Sequence, residues 1–276
     1  MGRPHGRLYA RLVARVEHAA DGERNRVAEG RIVRARGVTP GAAATIYRGC
    51  LESEAREEAD SAFFMRRSGL EPALFHLDGL PERSAAGVGT VYATLHFGSP
   101  VFAYLALRCV RGEDVSMIGR PLDEANPMSS AKREYALGKV RWVEAVGARP
   151  FLATDAAAMA RARDELLAGR SLYTPIDVPG SVVGRAATVQ PFDEPVRFAA
   201  GLMTLARLAG ADVVPVVGLS RGDGFTVHFG TRLAPGGGTS LLEPAIAELA
   251  RFVRAYPDEW WMWPYLERAN LASGAG

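Results

Sequence analysis

The chain has 276 residues, of which 48% are hydrophobic and 23% are charged, and its formal net charge is +2. This composition is typical of a folded globular protein and excludes an intrinsically disordered chain. The near-neutral charge argues against nucleic acid as the main partner. Because no run of about 18 apolar residues occurs, the sequence predicts no transmembrane helix.

The cysteine content and the N-terminus bear on the compartment. Cys50 and Cys109 form neither a disulfide framework nor a metal-type cluster, which favours a reducing cytoplasm. The stretch from Met1 to Glu29 is rich in arginine but lacks the apolar core of a signal peptide. We therefore predict a cytoplasmic protein and expect no metal or other cofactor.

The first part of the chain has helical patterns, over residues 6–20 and 40–67. Thr39-Pro40 gives the second of these helices an N-cap followed by proline at the first helical position. The stretch from Glu52 to Asp60 is strongly charged, which predicts a solvated helix face. Residues 1–67 are thus interpreted as an N-terminal helical segment.

Beyond residue 67, strand-like segments alternate with helical ones. This alternation predicts an α/β fold with a mixed, mostly parallel sheet covered by helices on both faces. We interpret residues 1–276 as a single domain whose α/β core spans residues 68–276. The predicted strands are residues 73–77, 90–95, 114–118, 149–153, 171–176, 213–219 and 225–229, and the predicted helices are residues 98–111, 132–146, 155–167, 195–209 and 239–256.

A histidine, His96, ends the second predicted strand. Gly98 permits a tight turn after it, and Ser99-Pro100 supplies an N-cap and a first helical residue. Ligands of such sheets usually bind beyond the carboxyl ends of the strands. There His96 can take a proton from an attacking hydroxyl or amine, beside the free N–H groups of a helix N-terminus. The alternative is a histidine that only satisfies a local hydrogen bond.

Four sequence blocks, in their order and spacing, resemble a known family. They are Gly89 to Gly98, Leu167 to Asp177, Val189 to Phe192 with Ala200 to Pro215, and Tyr256 to Trp263. They are similar to blocks of the lipid A biosynthesis (lauroyl/myristoyl) acyltransferase family, within the lysophospholipid acyltransferase superfamily. The resemblance runs from about Thr39 to Glu267. It implies a glycerolipid acyltransferase-like fold.

The resemblance also implies direct acyl transfer from an acyl-CoA or acyl carrier protein thioester to a hydroxyl or amine of a small molecule or lipid. In the family, the general-base histidine is oriented by a carboxylate in a His-x4-Asp/Glu motif, but here that position holds Val101. Three interpretations follow. Asp177 or Glu194 replaces the missing carboxylate, or His96 acts alone, or transfer is lost and the chain is a non-catalytic binding or partner subunit.

Four residues are candidates for binding substrate. Arg133 stands where the family tends to carry a basic residue, and its guanidinium suits a phosphate or carboxylate, although a surface arginine beside Glu134 is the alternative. Arg185 is a similar candidate in a glycine-containing loop. Ser99 can donate to the acyl carbonyl, or it can be an ordinary N-cap, and Gly98 shapes the turn next to it.

Membership of this family usually implies an N-terminal membrane anchor and a glycolipid acceptor. We predict no such anchor here, and together with Val101 this favours a divergent relative with a smaller or carrier-bound acceptor in specialised metabolite or lipid biosynthesis. The alternative is peripheral contact with the inner face of the cell membrane. Trp260, Trp261 and Trp263 are interpreted as a packed C-terminal plug, with a membrane-facing aromatic belt as the other reading.

Overall fold

A computed structural model describes residues 3–67, 70–82, 87–122, 129–147, 149, 152–153, 157–179, 186–192, 194–236 and 240–266. The helices are α1 (Arg3–Ala20), α2 (Gly22–Arg36), α3 (Pro40–Phe64), α4 (Pro100–Cys109), α5 (Ser130–Gly147), α6 (Ala158–Leu167), α7 (Gly201–Ala209) and α8 (Leu242–Ala255). The strands are β1 (Phe75–Asp78), β2 (Val91–Thr94), β3 (Val115–Gly119), β4 (Leu152–Ala153), β5 (Ser171–Pro175), β6 (Ala186–Val189), β7 (Val196–Ala199), β8 (Val213–Arg221) and β9 (Gly224–Phe229).

Within the described residues, seven strands form one mixed sheet in the order β1-β9-β8-β2-β5-β3-β4. Every neighbouring pair is parallel except β8 and β9, which form an antiparallel hairpin. The two remaining strands, β6 and β7, pair with each other outside this sheet. The predicted α/β fold with a mixed, mostly parallel sheet is therefore confirmed.

Helices pack on both faces of the sheet because its central strands are apolar on both sides. Successive side chains of a strand point to opposite faces, so Val91 and Ala93 lie in one buried cluster and Tyr92 in the other. The first cluster includes residues of α2, α3, α6, α7 and α8, whereas the second includes α4 and part of α5. Doubly covered parallel strands of this kind have near-continuous apolar sequences.

Capping residues in the sequence fix the first helices. The Thr39 hydroxyl accepts a hydrogen bond from the Ala42 N–H at the start of α3, as its predicted N-cap role requires. Between the two predicted N-terminal helices lies α2, which was not predicted. Its own signals are an N-cap at Asp21 and a left-handed Gly37 at its end.

The segment predicted as one helix over residues 195–209 is only partly helical, so that prediction is wrong in its first part. Val196–Ala199 is the strand β7, and the helix begins at Gly201. Val196 and Phe198 are buried while Arg197 between them is exposed, which is the two-residue period of a strand.

The prediction of a solvated face from Glu52 to Asp60 is also wrong. Glu57 is only 1% exposed and Asp60 only 5%. Glu57 lies 3.1 Å from the ammonium of Lys139 on α5, and the Ser220 hydroxyl donates to Asp60 at 3.1 Å. These carboxylates are buried because distant segments supply their partners, which is the condition under which charged groups leave water.

Candidate active site

Strand pairing brings His96 and Asp177 together. β2 and β5 are adjacent and parallel, and Val91 faces Leu172 while Thr94 faces Pro175. The two members of each pair are 81 positions apart in the sequence. His96 and Asp177 each follow the last paired residue of their strand by two positions and keep the same separation. The two side chains therefore meet at the carboxyl edge of the sheet, where ligands of such folds usually bind.

The Asp177 carboxylate binds His96 at two points. Its Oδ1 lies 2.7 Å from the ring Nδ1, and its Oδ2 accepts the His96 backbone N–H at 2.8 Å. The Asp177 side chain is fully buried, whereas the His96 side chain is 35% exposed. A carboxylate only accepts hydrogen bonds, so it fixes the proton on Nδ1 and leaves Nε2 to act as a base. Among the described residues, Nε2 has no hydrogen-bond partner.

The charges around His96 raise its pKa above the ordinary value. Desolvation alone would lower the pKa, but the Asp177 carboxylate outweighs it through its charge and its hydrogen bond. Glu54 on α3 acts in the same direction, and Lys139 on α5 opposes it. The neutral, basic form of the imidazole therefore predominates only above a pH higher than the usual value of 6.5.

A segment near the C-terminus encloses the His96 loop. The Trp260 indole N–H donates to Asp177 Oδ2 at 2.8 Å, and the Trp261 backbone N–H donates to the His96 carbonyl at 3.0 Å. The Gly98 N–H donates to the Glu259 carbonyl at 2.8 Å. The Trp261 ring lies 6.5 Å from the His96 ring and forms a wall beside it. Trp260 and Trp263 are buried, as the prediction of a packed plug requires, whereas Trp261 is partly exposed beside the candidate site.

Gly98 has a packing role that only glycine can fill. Its φ is +59°, and a Cβ there would lie 2.2 Å from the Gly218 carbonyl oxygen on β8. The predicted free N–H groups belong to the helix that begins at Pro100. Just before that helix the N–H groups are not free, because Gly98 donates to Glu259 and Ser99 donates to the Gly218 carbonyl at 2.8 Å. Neither N–H is available to a substrate oxyanion, and Gly98 is a structural residue.

Val101 belongs to the core and not to the site. It is 9% exposed and lies in the apolar cluster with Phe64 and Phe102. The carboxylate that orients His96 comes instead from Asp177, two residues after the end of β5. Of the two candidates, Asp177 holds this position, whereas Glu194 forms an ion pair with Arg34 of α2 at 2.7 Å. The prediction that Glu194 supports His96 is therefore corrected.

The other predicted binding residues are less informative. Ser99 precedes α4 and is 1% exposed, and its hydroxyl makes no capping bond to the helix. Arg133 lies half-buried in the first turn of α5. The prediction for Arg185 lies outside the described residues.

Sequence reasoning missed a buried polar network next to the site. Glu259 is 4% exposed and accepts hydrogen bonds from Ser53, Arg56 and Arg221 at 2.5, 2.7 and 3.0 Å. The Trp261 indole donates to the Ser53 hydroxyl at 3.1 Å, which links the network to the wall beside His96. Most residues from Glu52 to Asp60 are polar, so the sequence carried no signal for which of them are buried.

A cavity of about 490 Å³ lies between α1, α3 and α5. Tyr9, Glu58, Lys132 and Tyr135 are among its lining residues, and His96 is not. Lys132 also forms an ion pair with Glu54 at 3.4 Å, and Glu54 acts on the pKa of His96. In the described part of the chain, no group of three or more histidine, cysteine or acidic side chains is placed to hold a metal ion.

Compared with known protein families and with curated proteins, the sequence matches none. The resemblance to the lipid A acyltransferase family therefore remains a prediction that depends on the four sequence blocks.

Proposed function

We propose that this protein is an acyltransferase that moves an acyl group from a thioester to a hydroxyl or amine acceptor. The observation that carries the proposal is the 2.7 Å contact between His96 Nδ1 and the buried carboxylate of Asp177. A base needs a fixed tautomer, an accessible second nitrogen and a group that stabilises its protonated form. His96 has all three, because its side chain is 35% exposed while Asp177 is fully buried.

In the proposed reaction, His96 Nε2 takes the proton of the acceptor as its oxygen or nitrogen attacks the thioester carbonyl. The imidazolium that forms is stabilised by Asp177, which does not itself take the proton. The tetrahedral intermediate then breaks its carbon–sulfur bond, and the thiolate that leaves is protonated by the imidazolium. The products are an ester or amide and a free thiol, and no cofactor enters the balance.

The donor in this proposal is acyl-CoA or an acyl-loaded carrier protein, and the reaction takes place in the cytoplasm. Both donors carry phosphate on their pantetheine arm, which suits the guanidinium of Arg133. The acceptor is a small molecule or a lipid. Support for thioester chemistry comes from the four sequence blocks, and support for a base-assisted attack comes from the His96–Asp177 pair.

The direct test is an acyl-transfer assay with the purified chain. Acyl-CoA thioesters of graded chain length and an acyl carrier protein donor are each offered with hydroxyl and amine acceptors. Free thiol and acylated product are measured, the latter by mass spectrometry. We expect acceptor-dependent thiol release with matching product. Binding of acyl-CoA without any turnover would contradict the proposal and favour a non-catalytic subunit.

One surface bears on whether the acceptor is a lipid. Leu8, Leu12 and Val16 lie four residues apart on α1 and are 59%, 52% and 68% exposed. The opposite side of the helix packs on α3 through buried alanines. Arg11 and Arg15 are exposed beside the apolar stripe. An apolar stripe with flanking arginines is the pattern of helices that lie in an anionic membrane surface. No described helix has the length and hydropathy needed to cross a bilayer.

We therefore propose that the Leu8–Leu12–Val16 stripe contacts the membrane peripherally. In cosedimentation with vesicles of phosphatidylglycerol and phosphatidylcholine, Leu12→Glu should weaken binding about tenfold or more, since a leucine that contacts the membrane is lost and a negative charge is added. Leu208→Glu is the matched control, because Leu208 is 69% exposed on α7. Equal loss in both variants, or no binding by the unmodified chain, would contradict a lipid-facing α1.

A further inference from the structure

We infer that Trp260 is a positioning residue for the proposed reaction, acting through Asp177. Its indole N–H donates to Asp177 Oδ2 at 2.8 Å, and Trp260 itself is 1% exposed. The inference rests on the proposed function for its kinetic consequences, but the contact itself can be tested without any substrate.

The two carboxylate oxygens of Asp177 bind different groups. Oδ2 accepts two N–H groups, from Trp260 and from the backbone of His96, at 2.8 Å each. Oδ1 is thereby turned toward the His96 ring, at 2.7 Å from Nδ1. Because both donors on Oδ2 are held by the fold, the carboxylate cannot rotate away from the imidazole. Trp260 is thus the one side chain, among the described residues, that completes this clamp.

Packing prevents the indole from moving. The Trp260 ring lies 4.7 Å from the ring of Trp263 and 5.7 Å from that of Phe192. Its backbone is bridged to Phe97, the residue after His96. The donor is therefore placed by several independent contacts. A hydrogen bond to a buried carboxylate is stronger than one between neutral groups. We therefore expect its removal to change the properties of the His96 imidazole, which the same carboxylate binds.

The indole N–H also weakens the pull of Asp177 on the His96 proton. A donor spreads the negative charge of the carboxylate, which lowers its attraction for the imidazolium. When the indole donor is removed, the His96 backbone N–H still binds Oδ2 and keeps the carboxylate near the ring, so the acid limb of the rate profile should shift to higher pH. Asp177, Glu54 and Lys139, the charged groups that act on His96, all remain in place.

The variant pair is Trp260→Phe and Trp263→Phe. Both tryptophans are fully buried and both indoles donate a hydrogen bond, but Trp263 donates to the Pro257 carbonyl at 2.9 Å. Trp260→Phe should reduce kcat about tenfold, the loss expected for one hydrogen bond to a charged group, and shift the acid limb upward. Trp263→Phe should affect stability to a similar degree without moving the limb. An acid limb at the same pH in both variants would overturn the inference.

A measurement on the unmodified chain avoids any dependence on folding or turnover. In a nitrogen–proton spectrum of tryptophan-labelled protein, the indole proton of Trp260 should be shifted downfield and should titrate together with His96. The indole of Trp263 should not titrate. If the Trp260 signal is insensitive to pH while His96 titrates, the inference is overturned. If both titrate together and no acyl transfer is found, the proposed reaction fails and the positioning contact stands.

Discussion

His96→Gln is expected to reduce acyl transfer by about a thousandfold, within the range that a positioned general base contributes. Glutamine can still donate an N–H to Asp177, so the buried carboxylate keeps a partner and the fold should persist. His96→Ala removes that donor and should additionally lower stability, because Oδ1 of the buried Asp177 carboxylate is then left without a hydrogen bond. The rate of product formation is measured in the acyl-CoA assay, with circular dichroism to verify folding.

The matched control for His96 is His228. It also pairs with an aspartate, Asp78, at 2.9 Å from its Nδ1, but it lies on β9, which β8 separates from β2 in the sheet. His228→Gln removes the same chemical group from a similar pair and should leave turnover unchanged. Equal activity of His96→Gln and the unmodified chain would contradict the assignment of the base.

Asp177→Asn should be at least as damaging, by up to about ten thousandfold, the loss seen when the aspartate of a catalytic triad becomes asparagine. Asparagine has almost the same shape, but its amide can donate to Nδ1 and so favours the wrong tautomer of His96. The change also removes the charge that raises the pKa of His96. Desolvation then remains, and it lowers the pKa.

The loss of the Asp177 charge determines the direction in which the pH dependence of activity shifts. The base is active when neutral, so the unmodified chain loses activity as the pH falls through the raised pKa of His96. In Asp177→Asn the residual activity should persist to lower pH, which is opposite to the shift expected for Trp260→Phe. Asp78→Asn, in the surface pair with His228, is the control and should shift nothing. An acid limb that moves upward in Asp177→Asn would contradict the pairing.

The sequence predicted His96 as a strand-end residue because the apolar run before it and Gly98 after it are local signals. It nominated Asp177 together with Glu194 but could not choose between them. That choice depends on which strand lies beside β2, and the neighbours are β5 and β8, both far away in the sequence. Only the pairing register places Asp177, and not Glu194, opposite His96.

The buried polar groups were beyond local reasoning for a related reason. A run of charges on a helix predicts solvent unless partners are known, and the partners of Glu57 and Asp60 are Lys139 and Ser220. The burial of Trp260 was predictable because its side chain is large and mostly apolar. Its hydrogen bond to Asp177 was not, because the two residues are 83 positions apart in the sequence. The fold was therefore more accessible from the sequence than the site.

The most direct measurement is a nitrogen NMR titration of the His96 imidazole. We expect a proton on Nδ1 in the neutral form, a free Nε2, and a pKa above 6.5 that falls in Asp177→Asn. That result would establish an oriented and accessible base before any substrate is known. A neutral ring protonated on Nε2, or a pKa indifferent to Asp177, would contradict the account.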